Sequence, residues 1–209
     1  MVAVRPQPRV IDGRFIRLEP LTRQLYPELF AAISTPEVFA GGYGGGPAGY
    51  RPTLDGFTEF ADSYYALDRN NVYAVRLVDG RLVGTSTLGD FDEVRESAHL
   101  GWTAWAPDVW GTAVNPEAKL LILSEAFDNG FGRVKLQADA LNTRSRGAIT
   151  KLGAQFEGIV RRDQVRADGT WRDAAVYSIL NDEWPDVRRG LIARLDAIEA
   201  SATKGRLAP

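Results

Sequence analysis

A lone histidine, a turn of small residues and a helix start share one segment, Ser97 to Lys119. His99 is the only imidazole in the chain. With an ordinary pKa near 6.5, such a ring can take a proton at neutral pH. Ala98, Leu100, Trp102 and Ala104 alternate with Ser97, His99, Gly101 and Thr103, the pattern of a half-buried strand. Gly111-Thr112-Ala113 follows, small enough for backbone N–H groups to converge. Asn115 suits a helix N-cap, Pro116 the first helical position, and Glu117 the positive helix end. Strand, small turn and helix start together can hold an anionic phosphate. An ordinary strand-to-helix connection that binds nothing reads the same way.

The second polar cluster is Asn142-Thr143-Arg144-Ser145-Arg146, which opens a helix reaching Leu152 and stopped by Gly153. Ser145 can donate a hydrogen bond to a leaving group, or bond its own helix backbone. The run Gly41 to Gly49 invites a phosphate reading, but it lacks the lysine and spacing of a P-loop. A mobile surface loop is the favoured reading there, and a border of an acceptor site the second. Asp90, Asp92, Glu93 and Glu96 read as solvated loop charge, or as carboxylates able to receive an amine.

Composition removes whole classes of chemistry. The chain has 209 residues and no cysteine, so disulfides, thiolate metal sites and cysteine nucleophiles are excluded. One histidine rules out multi-histidine metal centres, and no metal is expected. A net charge of -2 argues against a nucleic-acid-coating surface. No long apolar run suggests a membrane span, and no signal-peptide core is seen, so a cytoplasmic protein is the default expectation.

These residues need a scaffold, and periodicity supplies it. Residues 1–8 read as a loose tail, and Asp12-Gly13 as a hairpin turn before a strand from Phe15 to Glu19. A helix runs from Tyr26 or Pro27 to about Ile33. Thr53 caps another, from Leu54 to about Asp68, with Phe57, Phe60, Ala61, Tyr64 and Leu67 on one face. Val72–Val78 and Leu82–Leu88 flank Asp79-Gly80 as a hairpin. After the helix from Pro116 to Asn129 come a strand at Val134–Ala140, the Asn142 helix, and a hairpin of Phe156–Arg166 with Trp171–Leu180. A last helix starts at Pro185. The expected product is one α+β domain over residues 1–200, with a flexible tail at 201–209.

This order and these motifs resemble the GNAT superfamily of acyl-CoA-dependent N-acyltransferases, in particular its RimJ/RimL branch of ribosomal-protein N-terminal acetyltransferases. The resemblance covers about residues 14–184. It rests on Gly111-Thr112-Ala113 with Glu117-Ala118, on Asn142-Thr143-Arg144-Ser145 with Lys151-Leu152-Gly153, and on Glu157-Gly158, Arg161 and Asp168-Gly169. It implies a mixed, mostly antiparallel central sheet flanked by helices, splayed between the strands near 97–105 and 134–140. It implies acetyl-CoA as co-substrate and a primary amine as acceptor, a protein N-terminus or a small amine.

The backbone of Trp110, Gly111, Thr112, Ala113, Val114 and Asn115 would cradle the pyrophosphate, and Thr103 to Trp105 would pair with the pantetheine arm. Asn142 would hold that arm from the far side. Arg144, Arg146 and Lys151 would reach the 3′-phosphate or adenine end. His99 would act as general base and Ser145 as donor to sulfur. The chain departs from relatives at Asp108, where Gln or Arg is common, at Ile149, near a frequent tyrosine, and at His99, where the branch often has Glu. An acyl-CoA-binding module without turnover and a succinyl-type acyltransferase are the alternative readings. A homodimer is compatible with the branch.

Overall fold

The computed structural model describes residues 2–207, with side chains described through Ser201. Eight strands form one sheet: β1 (Ile11–Asp12), β2 (Ile16–Pro20), β3 (Asn71–Leu77), β4 (Leu82–Asp92), β5 (Ser97–Trp105), β6 (Arg133–Asp139), β7 (Gln155–Val165) and β8 (Trp171–Leu180). Their order is β1-β2-β3-β4-β5-β6-β8-β7. Every neighbouring pair is antiparallel except β5 with β6. The mixed, mostly antiparallel sheet is thus the one the sequence implies.

Six α-helices cover its faces: α1 (Tyr26–Ile33), α2 (Pro36–Ala40), α3 (Leu54–Tyr65), α4 (Val114–Asp128), α5 (Thr143–Leu152) and α6 (Trp184–Leu207). One core layer joins α4, α5 and α6 to the sheet through Leu88, Leu100, Ile122, Leu152 and Leu191. The opposite layer joins α1, α2 and α3 through Leu29, Phe39, Phe57, Ala61 and Ala104. Burial of these apolar faces holds the layers together.

The parallel pair is what makes a site. β5 and β6 are in register only from Ser97 with Arg133 to His99 with Lys135. Beyond that point β5 continues to Trp105 and β6 to Asp139, and the two strands part. A bulge gives the cause. Thr87 pairs with Gly101 and Thr85 with Ala104, so Trp102 and Thr103 together face Ser86. Trp102 sits at φ +47°, outside the extended region. An extra residue of this kind bends and twists its strand.

Several local expectations are corrected. Helix α2, opened by Thr35 and Pro36, is absent from the sequence reading. Residues 3–6 are no loose tail: Ala3 is buried, Val4 donates to the Asn129 carbonyl at 3.0 Å, and Asn71 Nδ2 donates to Pro6 O at 2.7 Å. Asp90 and Asp92 lie within β4 rather than in a loop. Helix α3 stops at Tyr65, where Ala66 turns left-handed at φ +45°. Helix α6 includes residues 201–207 of the segment expected as a flexible tail. Residues 208 and 209 of that expected tail lie outside the described residues.

The start of α4 also differs. Ala113, not Asn115, is the cap, and Asn115 lies one residue inside the helix. Its side-chain oxygen is taken by the Trp105 indole N–H at 3.0 Å. Glu117 is no exposed helix-end charge. It is 2% exposed and accepts the backbone N–H groups of Arg14, Phe15 and Ile16 at 2.7, 2.7 and 2.9 Å.

Candidate active site

The gap between β5 and β6 opens into a cleft of about 320 Å³. Its floor is the bulged end of β5, its far wall Gln137 to Asp139 of β6, and its flanks α4 and α5. On the opposite face it meets Gly41, Gly42, Tyr43, Tyr64 and Arg172. The cleft therefore runs from one helical layer to the other through the sheet.

The phosphate end is shaped by the Gly111 turn. Gly111 has φ +80°, and a Cβ added there would meet nothing within 4 Å. Trp110 Nε1 donates to Trp105 O at 3.0 Å, which ties the turn to the end of β5. Two amides of the turn are used internally: Trp110 N–H to Pro107 O at 3.2 Å and Thr112 N–H to Val109 O at 3.3 Å. The Thr112 hydroxyl also donates to Val109 O at 2.7 Å. Asp108, unfavourable beside an anion, points to Arg81 at 2.8 Å.

Asn142 caps α5, accepting the Ser145 N–H at 2.9 Å. Its amide nitrogen donates to Gly41 O. The Arg144 guanidinium stacks 4.0 Å from the centre of the Trp110 ring and abuts Gly41. Ala167 N–H donates to Gly45 O at 3.1 Å. The glycine run is accordingly docked between α5 and the β7–β8 hairpin, with Tyr43 buried, rather than a free surface loop.

Of the residues singled out from sequence, Thr103, Trp105, Trp110, Gly111, Asn115, Asn142 and Ser145 meet in the cleft. Thr112, Ala113 and Val114, the end of the turn and the start of α4, are not among the residues lining it. Arg146 is turned aside, donating to Tyr177 Oη at 3.2 Å and to Ala140 O at 3.1 Å. His99 lies within the sheet on the α1–α3 side, its ring 4.7 Å from that of Trp102. Its Nδ1 is 3.0 Å from Asp90 Oδ2, and its buried Nε2 has no partner among the described residues. Because a carboxylate can only accept, Nδ1 carries the proton and Nε2 a free lone pair. Burial pushes the imidazole pKa down, and the Asp90 hydrogen bond opposes it. Gly101 and Trp102 separate the ring from the open cleft; a Cβ on Gly101 would sit 2.9 Å from Nε2.

Sequence reasoning missed two cations in the cleft wall. Lys119 is buried and donates to Ser86 Oγ at 2.9 Å and Thr103 Oγ1 at 2.6 Å. Burial lowers its pKa to about 7. The available signal was its place beside Ala118, Ile122, Leu123 and Ala126, the buried apolar face of the helix. Arg172 lies one residue into the strand after a hairpin turn, where a solvated charge is the ordinary expectation.

An open V between two parallel strands, with a glycine turn and a helix start beside it, is the architecture of an acetyltransferase fold. The chain belongs to the GNAT acetyltransferase family: the model of the acetyltransferase (GNAT) domain matches residues 16–155. It is 31% identical over 119 residues to YdaF of Bacillus subtilis (strain 168), a protein named as a ribosomal N-acetyltransferase. That match covers 56% of this chain and 63% of YdaF, so the chain spans just under two thirds of that relative. A GCN5-related N-acetyltransferase from Brucella melitensis superposes with a TM-score of 0.83 at 29% identity, over 92% of this chain and 88% of that one. An acetyltransferase structure from T. thermophilus gives 0.80 at 31% identity, over 90% and 98%. Among the described residues, no helix is long and apolar enough to cross a membrane, and no cluster could hold a metal ion.

Proposed function

We propose that this chain transfers an acetyl group from acetyl-CoA to a primary amine by direct attack within a ternary complex. The parting of β5 and β6 beside the Gly111 turn carries this reading. The amides of Gly111, Ala113 and Asn115, with the helix dipole, would hold the pyrophosphate. The free edge of β5 from Gly101 to Trp105 would pair with the pantetheine arm, and its N–H groups would receive charge developing on the thioester oxygen. Asn142 and Ser145 face the same space, Ser145 as donor toward sulfur. A thiol with a pKa near 8.5 leaves without a strong acid. Holding amine and thioester together supplies the largest share of rate.

Proton removal depends on the acceptor. A protein N-terminal amine has a pKa near 8 and needs only a mild base. The His99–Asp90 pair presents a lone pair at Nε2, separated from the cleft by Gly101, so we assign it proton acceptance through an intervening water. His99→Asn is expected to lower kcat/KM about tenfold at pH 7. It should also remove an acid limb whose midpoint lies below the ordinary 6.5, since burial lowers this pKa. Unchanged kcat/KM across pH would remove His99 from the reaction.

The whole reading is tested by titration calorimetry with acetyl-CoA, followed by thiol release against peptide and small-amine panels. Heat without thiol release would favour a binding module. No heat with any coenzyme A thioester would end the proposal.

A further inference from the structure

The amine-facing end of the cleft holds a guanidinium with two buried N–H donors that make no hydrogen bond among the described residues. Arg172 is the second residue of β8, opposite Gln164 of β7, and its side chain is 17% exposed. Nε and Nη2 are buried and donate to no acceptor among the described residues. Asp163 Oδ2 forms an ion pair with Nη2 at 3.6 Å, too far for a hydrogen bond. That oxygen is itself without a hydrogen-bond partner. Buried donors left unmade are costly, and folded proteins seldom keep them without a use.

The remaining charges of the cleft are already engaged. Arg144 stacks on Trp110, and Lys119 is held by two hydroxyls. Asp139, the one carboxylate in the lining, pairs with Arg166 at 2.6 Å. A polyamine or aminoglycoside would need free carboxylates to receive its extra cations, and this lining offers none. What it offers is a planar fork of N–H donors, which fits a carboxylate in bidentate geometry.

We propose that Arg172 is a carboxylate-binding residue, so that the substrate carries a carboxylate beside its reacting group. The inference rests on the acetyltransferase reading above and names the substrate class for it. Two sources share this chemistry. One is an acceptor amine with a nearby carboxylate, such as an amino acid or an acidic peptide N-terminus. The other is a dicarboxylic acyl group on coenzyme A. The position of Arg172 beside Tyr64, across the sheet from α4, favours the acceptor.

The test uses the full chain and reads binding rather than turnover. Calorimetry on CoA-saturated protein compares acetylglycine, acetylaspartate and acetyl-Ser-Glu with the same compounds bearing amides in place of carboxylates. A parallel arm compares succinyl-CoA with butyryl-CoA. Tighter binding of an acid over its amide by about tenfold or more is expected in the first arm, from a charge-assisted hydrogen-bonded pair. Arg172→Gln should bring that ratio close to one, and Arg172→Lys should leave an intermediate ratio. A preference confined to the succinyl arm and lost in Arg172→Gln keeps the carboxylate site and assigns it to the donor. Equal binding of acids and amides by the wild type in both arms overturns the proposal, as does a preference that survives Arg172→Gln. Failure of acetyl-CoA itself to bind is a separate result, and it sinks the underlying acetyltransferase reading.

Discussion

Lys119→Met is expected to make the protein more stable and the enzyme slower. Lys119 is buried and donates to two hydroxyls with no carboxylate to balance its charge. A pKa of about 7 in place of the ordinary 10.5 corresponds to a cost of roughly 5 kcal/mol on the charged form. Methionine fills similar volume without that cost. The hydroxyls of Ser86 and Thr103 lie 2.9 Å apart and keep each other as partners. Allowing for the two lost hydrogen bonds, the net gain at pH 7 should be about 2–3 kcal/mol.

The sign with pH follows from proton counting. Between pH 7 and 10.5 the unfolded chain holds this proton while the folded chain has released it. Wild-type stability from this group therefore rises with pH across that window. The advantage of methionine should be full below pH 7 and fade toward pH 10.5. Denaturant unfolding at several pH values reads it, and a variant less stable at pH 7, or with the same pH slope, contradicts the account. Turnover should fall about tenfold or more, because Lys119 places its charge in the cleft wall beside Thr103, where the acyl group would lie. A stable variant with full activity would make Lys119 an accident of packing. Such a trade of stability for activity is common where a site needs an uncomfortable group.

Lys119 also shows where a sequence stops being legible. Local signals were readable. The Thr53 cap of α3, the glycine turns at Gly80 and Gly169, and the alternation of β5 as far as Leu100 are set by neighbours a few residues away, whereas beyond the bulge Trp102 and Ala104 face the layer opposite to Ala98 and Leu100. The parting of β5 and β6 was reached only by resemblance, because its cause is the positive φ of Trp102, a residue type that gives no warning. Helix α2 has five residues, too few for periodicity to register. Asn115 had the right chemistry for a cap, but the Trp105 indole claimed its oxygen from across the turn. His99 was found by type, while its wall of Gly101 and Trp102 depends on the bulge. Arg172 and Lys119 are polar groups whose burial comes from elements distant in sequence. Contacts of that range decided most of what was missed.

Glu117→Ala should be the most damaging single change near the phosphate cradle. Its carboxylate takes three consecutive backbone N–H groups from the turn between β1 and β2, and so ties that turn to the first turn of α4. Alanine would leave the buried Ile16 amide and the half-buried amides of Arg14 and Phe15 without this acceptor, at a cost of about 4 kcal/mol. For a chain of this length that is a fall in Tm of roughly 10 °C. Acetyl-CoA affinity should weaken with it, because the same helix turn would hold the pyrophosphate. Gly13 supplies an independent check. A Cβ there would lie 2.7 Å from Glu117 Cδ, so Gly13→Ala must displace the carboxylate from its amides. Gly13→Ala should thus be clearly destabilising alone, yet cost less than about 0.5 kcal/mol once Glu117 is alanine. Additive effects in that double-mutant cycle would mean the carboxylate is not what joins the turn to the helix.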